Sequence, residues 1–330
     1  MPSGRGHIRN IMGLLLNVLI FLIGLLLLVF SADYFIQASV RISRIFKLSP
    51  LFIGLVIVAF GTSAPEAGVS IVAAFKGQGS ISLGNIIGSN IANIGLILGI
   101  CGMLFPLTVR KEVIRRQLPL MLIAMLIFYL LCLDLVIGRV DSIILLLCFS
   151  LFIFLSFKGA RSQKDVDEGN FEINKIFERI SSKAAIFLIT ILSLFGLVLG
   201  ADLMVRGGVK LAKIFSINPW IIGITVFAIG TSLPELAASL SASFKGAHSL
   251  SLGNVIGSNI FNVLFVLGIA SFIRPIYLEL SMVRFEIPIM ILFSFLLFTV
   301  MRTEYKITRW EGLLLFIGYI GFLTFLILRS

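Results

Sequence analysis

The sequences GTSAPE at residues 61–66 and GNIIGSNIAN at residues 84–93 place polar groups inside long apolar stretches of this chain, and both occur twice. The first returns as GTSLPE at 230–235, and the second returns as GNVIGSNIFN at 253–262. Residue 61 thus corresponds to residue 230 and residue 84 to residue 253, so both offsets are 169 residues. The chain therefore contains two related halves without an insertion between their motifs.

Each half carries one glutamate in an apolar setting, Glu66 in the first and Glu235 in the second. The similarity around them is close, since ten of twelve residues match between 82–93 and 251–262. An acidic side chain at membrane depth is costly and usually functional. Two such residues at matching positions predict a binding site at the interface between the repeats.

The composition is that of a membrane protein. Of 330 residues, 58% are hydrophobic and 13% are charged, whereas soluble domains carry about 25% charged residues. A membrane-spanning helix needs roughly 20 apolar residues, and the long apolar runs are 11–31, 117–138, 184–201, 285–301 and 310–328. Only helices and closed barrels span lipid, and runs this long and continuous are not barrel strands. The chain is predicted to be a polytopic helical membrane protein.

The first apolar run follows Arg5 and Arg9 and so resembles a signal peptide, but it is longer than a typical signal-peptide core. It also has a counterpart in the second half, because Ala32-Asp33 aligns with Ala201-Asp202. We therefore interpret it as a transmembrane helix.

Two compositional features have simple explanations. The net charge of +11 is interpreted as a topology signal in short loops rather than as a nucleic-acid-binding surface. Cys101, Cys132 and Cys148 lie in apolar spans without metal-ligand spacing, and an odd number there predicts no disulfide framework.

The predicted fold class is all-α: ten transmembrane helices as two inverted five-helix repeats, with broken helices at the midplane. Because five is odd, the second half must enter the membrane inverted. The expected divisions are a first repeat over 1–157, a cytoplasmic linker over 158–183 and a second repeat over 184–330. The expected spans are 11–31, 48–75, 81–105, 117–138, 140–157, 184–205, 217–244, 250–273, 285–301 and 310–328.

Orientation is predicted from Lys and Arg. Ten of the 27 fall on the face with both termini, and the remaining 17 fall on the face with the linker. The positive-inside rule then places the linker in the cytoplasm and both termini outside.

The spans 48–75 and 217–244 are predicted to be broken. Gly61 and Pro65 bracket the middle of the first, and Gly230 and Pro234 bracket the middle of the second. Proline removes a backbone donor and clashes with the preceding turn. Such breaks are tolerated where the freed backbone lines a cavity, and unpaired carbonyls there can coordinate a cation.

Polar side chains converge on these breaks. Thr62 and Glu66 are four residues apart and share one helical face, while Asn85, Ser89 and Asn93 form a polar stripe that Asn254, Ser258 and Asn262 repeat. The predicted pocket holds two carboxylates and many neutral oxygens but no thiol or imidazole. Such ligands favour hard cations such as Ca²⁺. Without a divalent cation, the two carboxylates would repel one another unless protonated or bound to monovalent cations.

Several of these features also have structural interpretations. The patterns Gly84-x-x-x-Gly88, Gly95-x-x-x-Gly99 and Gly253-x-x-x-Gly257 are typical of helix packing. Asp33 and Asp202 lie at span ends and are predicted to cap helices or to pair with Arg44- and Lys213-type charges.

The paired motifs GTSxPE and GNxIGSNIxN resemble the alpha-repeats of the cation/calcium exchanger superfamily, and most closely its prokaryotic sodium/calcium exchanger branch. The resemblance covers nearly the whole chain. It implies alternating access in which the first and sixth spans slide across a fixed core.

The resemblance also implies a set of ion ligands. Those of the first repeat would be Thr62, Ser63, Glu66, Ser89, Asn93 and the Ala59 carbonyl, and those of the second Thr231, Ser232, Glu235, Ser258, Asn262 and the Ala228 carbonyl. Glu66 and Glu235 would bind Ca²⁺ directly and also serve Na⁺ sites. Well-studied sodium/calcium exchangers often have aspartate where this chain has Asn262, so this pocket lacks a possible third carboxylate.

The predicted function is therefore secondary active antiport of Ca²⁺ against Na⁺ in the cell membrane, without an enzymatic reaction or a cofactor. H⁺/Ca²⁺ exchange through the same carboxylates is the nearest alternative, and a cation channel is a more distant one. An intramembrane hydrolase is disfavoured because no nucleophile–base arrangement lies beside the glutamates. The expected partners are the transported ions and the lipid bilayer, with no nucleic acid, and a monomer suffices.

Overall fold

A computed structural model describes residues 4–162, 177, 180, 182–214 and 230–329 of the chain. The helices are α1 (Gly4–Phe46), α2 (Pro50–Thr62), α3 (Ala64–Phe75), α4 (Gly79–Leu104), α5 (Val113–Leu131), α6 (Arg139–Ser162), α7 (Lys183–Ile214), α8 (Leu233–Phe244), α9 (His248–Ile273), α10 (Met282–Arg302) and α11 (Arg309–Arg329). Four two-residue strands join them: β1 (Leu107–Thr108), β2 (Val136–Ile137), β3 (Ile276–Tyr277) and β4 (Lys306–Ile307).

The fold class predicted from the sequence is confirmed, whereas the number of spans is not established. Among the described residues, eight helices are long and apolar enough to cross a membrane, and the bent pair α2–α3 makes a ninth span. The predicted span 217–244 is represented by α8, because residues 215–229 lie outside the described part of the chain. The predicted end of the first span at residue 31 is wrong, since α1 continues to Phe46. Phe35, Ile36 and Val40 extend its buried face beyond the apolar run.

The surface and interior have the polarity expected in lipid. Large apolar side chains are exposed along the outer helices, for example Leu15 on α1, Leu147 on α6 and Ile317 on α11. Helices α4 and α9 are the most buried of the eight full-length candidate spans. Large exposed apolar surface marks a site of interaction with lipid or protein, and here it lies on several helices long and apolar enough to cross a bilayer. The chain is therefore a multi-pass membrane protein.

The short strands show that the two halves have opposite orientations. β1 corresponds to β3 at the 169-residue offset and β2 corresponds to β4 at an offset of 170 residues, yet β1 pairs antiparallel with β4, and β2 with β3. Following the chain through successive helices places β1 and β4 on the face from which α7 starts, here called the linker face. It places β2 and β3 on the opposite face, where α1 starts and α11 ends, here called the terminal face. Each strand therefore pairs with the other repeat.

The first broken helix occurs where it was predicted. Helices α2 and α3 meet at an angle of 49°, and Ser63 between them leaves the helical region with φ −82° and ψ 9°. Pro65 lies in the first turn of α3, where a missing N–H is harmless. In the second repeat a turn at Thr231 and Ser232 precedes α8, and residues 215–229 before it lie outside the described part of the chain.

Two glycine contacts set the helix arrangement. A Cβ on Gly257 would lie 2.3 Å from the carbonyl oxygen of Leu55, so the backbones of α9 and α2 touch there. A Cβ on Gly200 would lie 2.6 Å from the backbone nitrogen of Leu28, which holds α7 against α1. The packing interpretation is confirmed for Gly95, where a Cβ would meet Tyr319 and Phe293. For Gly84 and Gly88, no described atom lies within 4 Å of such a Cβ.

Candidate cation-binding site

The two glutamates occupy equivalent local structures. Glu66 and Glu235 each lie in the first turn of a helix, two residues into α3 and α8. The preceding serines have nearly the same backbone angles, with φ −88° and ψ 7° at Ser232 matching those at Ser63. The positive end of a helix dipole stabilises a carboxylate in its first turn. Helices α3 and α8 therefore each present a carboxylate in their first turn.

The carboxylates are joined across the repeat interface by a reciprocal pair of hydrogen bonds. Ser63 Oγ donates to Glu235 Oε1 at 2.8 Å, and Ser232 Oγ donates to Glu66 Oε1 at 3.2 Å. Glu66 is 1% exposed and Glu235 is fully buried. The other oxygen of each carboxylate, Oε2, is buried and lacks a hydrogen-bond partner among the described residues. Both glutamates therefore keep one oxygen available in the same desolvated region.

Two asparagines hold the breaks in place. Asn85 Nδ2 donates to the Glu66 carbonyl at 3.2 Å, and Asn254 Nδ2 donates to the Glu235 carbonyl at 3.3 Å. Asn254 also accepts a 3.0 Å hydrogen bond at Oδ1 from Thr62 Oγ1. These contacts tie α4 to α3 and α9 to α8, and Asn254 also ties α9 to α2.

Hydrogen bonds join α4 and α9 near Asn93, at the C-terminal end of the polar stripe on α4. Asn93 Nδ2 donates to Asn259 Oδ1 at 3.0 Å, and Asn259 Nδ2 donates to the Asn90 carbonyl at 3.3 Å. The π-helical turns Asn93–Leu98 and Phe261–Val266 begin at or just before the predicted ligands Asn93 and Asn262. Such turns are frequent at functional sites because they re-aim side chains.

Several buried polar atoms have no hydrogen-bond partner within the described part of the chain. An unsatisfied buried polar group costs about 1–3 kcal/mol, so a cluster of them favours a site that receives a ligand. On α4 and α9, the helices whose asparagines bond the Glu66 and Glu235 carbonyls, these atoms include Asn85 Oδ1, Asn93 Oδ1, Ser258 Oγ, Asn262 Oδ1 and Asn262 Nδ2. Apart from one amide nitrogen, all are neutral oxygens, which suits a hard cation.

The remaining predicted ligands differ in burial, and one of them lies outside the described residues. Ser89 is buried one helical turn before Asn93 on α4. Thr62 is buried, and its hydroxyl donates to the Val58 carbonyl at 3.0 Å. Thr231 lies in the turn before α8 and is partly buried. Ala228 lies outside the described residues.

The Ala59 carbonyl is not an unpaired backbone group, contrary to the simplest form of the broken-helix prediction. It accepts a hydrogen bond from the Ser63 amide at 3.0 Å, because α2 remains helical up to the break. The Thr62 hydroxyl also contacts this oxygen at 3.5 Å, so an ion that binds the Ala59 carbonyl would replace this long contact at the second lone pair.

The sequence did not reveal which residues support the ligands. Ser70 accepts from Asn85 Nδ2 at 3.0 Å, and Ser239 accepts from Asn254 Nδ2 at 2.9 Å. Their equal positions in the two repeats were a usable signal, since residue 70 corresponds to residue 239. The cross-repeat role of Asn259 had no such signal, because it depends on the distance between α4 and α9.

Asn254→Ala tests this supporting role. The substitution removes the donor to the Glu235 carbonyl and the acceptor for Thr62, so the concentration of Ca²⁺ for half-maximal uptake should rise about tenfold, as for other residues that orient metal ligands. Ion uptake into vesicles measures it. Gln78→Ala is the matched control, because Gln78 is exposed and makes no side-chain cap at the start of α4. An unchanged Ca²⁺ requirement in Asn254→Ala would contradict the role.

Fold and site together define a class of protein. Inverted repeats that bring two carboxylates and hydroxyl oxygens together at their interface, next to a broken helix, are the architecture of secondary membrane transporters. Among the described residues, no group of three or more His, Cys, Asp or Glu side chains could hold a resident metal.

The chain belongs to the sodium/calcium exchanger protein family, whose model matches residues 16–158 and 185–328. It is 37% identical over 316 residues to the putative antiporter CaxA of Alkalimonas amylolytica, covering 94% of this chain and 98% of that one. It is 33% identical over 343 residues to the sodium/calcium exchanger MaX1 of Methanosarcina acetivorans, covering 94% and 98%. A solved structure of the sodium-calcium exchanger NCX_Mj, soaked with zero Na⁺ and Ca²⁺, superposes with a TM-score of 0.81 at 32% identity, covering 95% of this chain and 99% of that one.

Proposed function

We propose that this protein is a secondary active antiporter that exchanges Ca²⁺ for Na⁺ by alternating access. The observation that carries the proposal is the reciprocal contact of Ser63 with Glu235 and of Ser232 with Glu66. It brings both carboxylates to one buried place, each with a free oxygen. The sodium/calcium exchange named for MaX1 and NCX_Mj supports the same substrates here.

The charge of the site favours these ions. Two carboxylates carry two negative charges, which one Ca²⁺ or two Na⁺ neutralise. Two unpaired like charges are unfavourable in a desolvated region, so the site is stable only when cations or protons fill it. A carrier that crosses the membrane only when filled exchanges one species for another.

The proposed ligands are those expected from the family resemblance. Glu66 and Glu235 supply the charge, and hydroxyl, amide and carbonyl oxygens supply the neutral ligands. The whole set exceeds the six to eight ligands that one Ca²⁺ takes, because it also serves the proposed Na⁺ sites. The neutral ligands are Thr62, Ser63, Ser89, Asn93, Thr231, Ser232, Ser258, Asn262 and the carbonyls of Ala59 and Ala228.

H⁺/Ca²⁺ exchange is the second candidate, and a specific observation favours it. Asn262 leaves the described site with two carboxylates, and protonating both would discharge it as fully as two Na⁺ do. The proton and sodium mechanisms therefore compete for the same two side chains.

Flux in proteoliposomes separates these mechanisms. With Na⁺, K⁺ and H⁺ gradients imposed one at a time, Ca²⁺ uptake should follow an outward Na⁺ gradient and exceed uptake under the other two at least tenfold. Glu66→Gln vesicles provide the background level. Uptake driven by a proton gradient in sodium-free buffer would defeat the sodium assignment, and currents with no counter-ion requirement would indicate a channel.

The proposed location is the cell membrane, with the linker face cytoplasmic and the terminal face outside. The excess of Lys and Arg on the linker face supports this orientation. Impermeant thiol labelling of single cysteines placed at Lys76 and at Lys306 tests it in intact cells. Labelling at Lys76 alone is expected, and labelling at Lys306 alone would reverse the orientation.

A further inference from the structure

Two acidic and two basic residues outside the ion site are related by the repeat. Asp33 on α1 corresponds to Asp202 on α7, and Lys76 after α3 corresponds to Lys245 after α8, both at the 169-residue offset. Lys245 Nζ forms an ion pair with Asp33 Oδ1 on the linker face. The equivalent pair on the terminal face, Lys76 with Asp202, is not formed within the described residues, and Lys76 is exposed. The predicted pairing of Asp33 with Arg44 is wrong, because eleven residues along one helix separate them by about 16 Å.

Helix packing shows the same asymmetry. Helix α1 packs along α8 near the linker face, whereas α7 makes few contacts with α3, the equivalent helix near the terminal face. The α1–α7 pair is itself tightly held, since a Cβ on Gly24 would lie 2.4 Å from the Met204 backbone nitrogen. The pair is therefore one unit that contacts α8 through α1 more extensively than it contacts α3 through α7, and this arrangement is here called the conformation closed on the linker face.

The two repeats carry different residues four positions after each aspartate, one helical turn further along α1 and α7. Gln37 follows Asp33 and donates to its Oδ2 at 2.7 Å, whereas Arg206 follows Asp202 and bonds its Oδ1 at 2.8 Å. Asp202 thus has a cation on its own helix when Lys76 is distant. Asp33 has only a neutral neighbour at that position and gains a cation from Lys245.

We propose that the Asp33–Lys245 pair and a Lys76–Asp202 pair are alternative latches, one on each face. The presence of Arg206 in the second repeat, at the position where the first repeat has Gln37, favours the conformation closed on the linker face. The inference rests on the alternating access of the proposed function. When the α1–α7 unit moves across the core, the first pair separates and the second forms. Arg206 then competes with Lys76 for Asp202, while Asp33 loses its cation.

Cross-linking of paired cysteines tests the switch directly. In the full-length protein, Asp33→Cys with Lys245→Cys and Lys76→Cys with Asp202→Cys are treated with a short bifunctional thiol reagent in Na⁺, in Ca²⁺ and without either. Product at the second pair should rise wherever product at the first pair falls. Single-cysteine variants report any reaction with Cys148, which is the most exposed native cysteine.

Substitutions at three exposed positions test whether Arg206 favours the conformation closed on the linker face. The amount of cross-linked Asp33→Cys/Lys245→Cys product is the readout. Arg206→Gln frees Asp202 for Lys76 and should lower the product about twofold, the size expected from an exposed ion pair. Lys76→Gln removes the opposite latch and should raise it by a similar factor. Lys210→Gln, an exposed charge on α7, is the control and should change nothing.

Failure of the latch proposal can be distinguished from failure of the proposed transport function. If the second pair never cross-links while the first does under all ionic conditions, or if Arg206→Gln and Lys76→Gln act like Lys210→Gln, the latch proposal is overturned. If cross-linking switches but vesicles show no Na⁺-driven Ca²⁺ uptake, the latches stand and the assignment of the ions falls.

Discussion

Glu66→Gln and Glu235→Gln are each expected to reduce Ca²⁺ exchange by at least about 100-fold while the protein still folds. Glutamine has nearly the size of glutamate, and its amide oxygen still accepts the hydrogen bond from Ser232 or Ser63. What it lacks is one of two negative charges in a buried site. A change of about 2.7 kcal/mol in ion stabilisation suffices for a factor of 100, and removing one partner of a buried charge interaction typically costs 3–5 kcal/mol.

Isotope flux measures this loss, and size-exclusion chromatography of the purified variants measures folding. Glu112→Gln is the matched control, because Glu112 is an exposed carboxylate outside the site, and it should exchange at the wild-type rate. Exchange retained in either site variant would refute the role assigned to that glutamate. Equal losses in the two variants would reflect their symmetric hydrogen bonding.

Gly257→Ala is expected to lower the free energy of unfolding by about 2–3 kcal/mol, the cost of overpacking a close contact. The new Cβ would lie 2.3 Å from the Leu55 carbonyl oxygen and 2.7 Å from the Leu55 Cα. Both are backbone atoms, so no side chain can rotate to make room. Helices α2 and α9 must separate, and with them the two sides of the ion site.

Thermal unfolding in detergent measures this effect. Gly321→Ala on α11 is the control, because a Cβ there would have no described atom within 4 Å, and alanine is a better helix former than glycine. A melting temperature of Gly257→Ala equal to that of Gly321→Ala would show that the backbones do not touch. Transport should fall with stability, since Asn254 on α9 also bonds Thr62 on α2.

The different ion pairs on the linker face and the terminal face indicate which residues could set the preferred conformation. The repeated motifs are nearly identical in the two halves, so in the proposed alternating-access mechanism they would give no preference to either access state. The charges outside the motifs differ between the repeats, because Gln37 of the first repeat corresponds to Arg206 of the second. In the proposed mechanism, substitutions of exposed residues would therefore change the preference for one access state without altering a proposed ion ligand.

The sequence by itself determined the membrane class, the duplication, the inverted orientation and the position of the first helix break. These features follow from local physical chemistry: apolar length, an odd number of spans, and the steric effect of Pro65 beside Gly61. The two glutamates were also identifiable, because an acidic residue in an apolar span is costly wherever it lies.

Only the tertiary structure decided which atoms meet. The contact of Ser63 with Glu235, the bridge from Asn93 to Asn259 and the pairing of Asp33 with Lys245 all join residues more than 160 positions apart. Such contacts depend on the crossing of helices in space, which the Gly257 contact with Leu55 sets. Repeat symmetry could not supply the last of them, because Asp33 pairs with a lysine of the other repeat whereas its counterpart Asp202 pairs with Arg206 on its own helix.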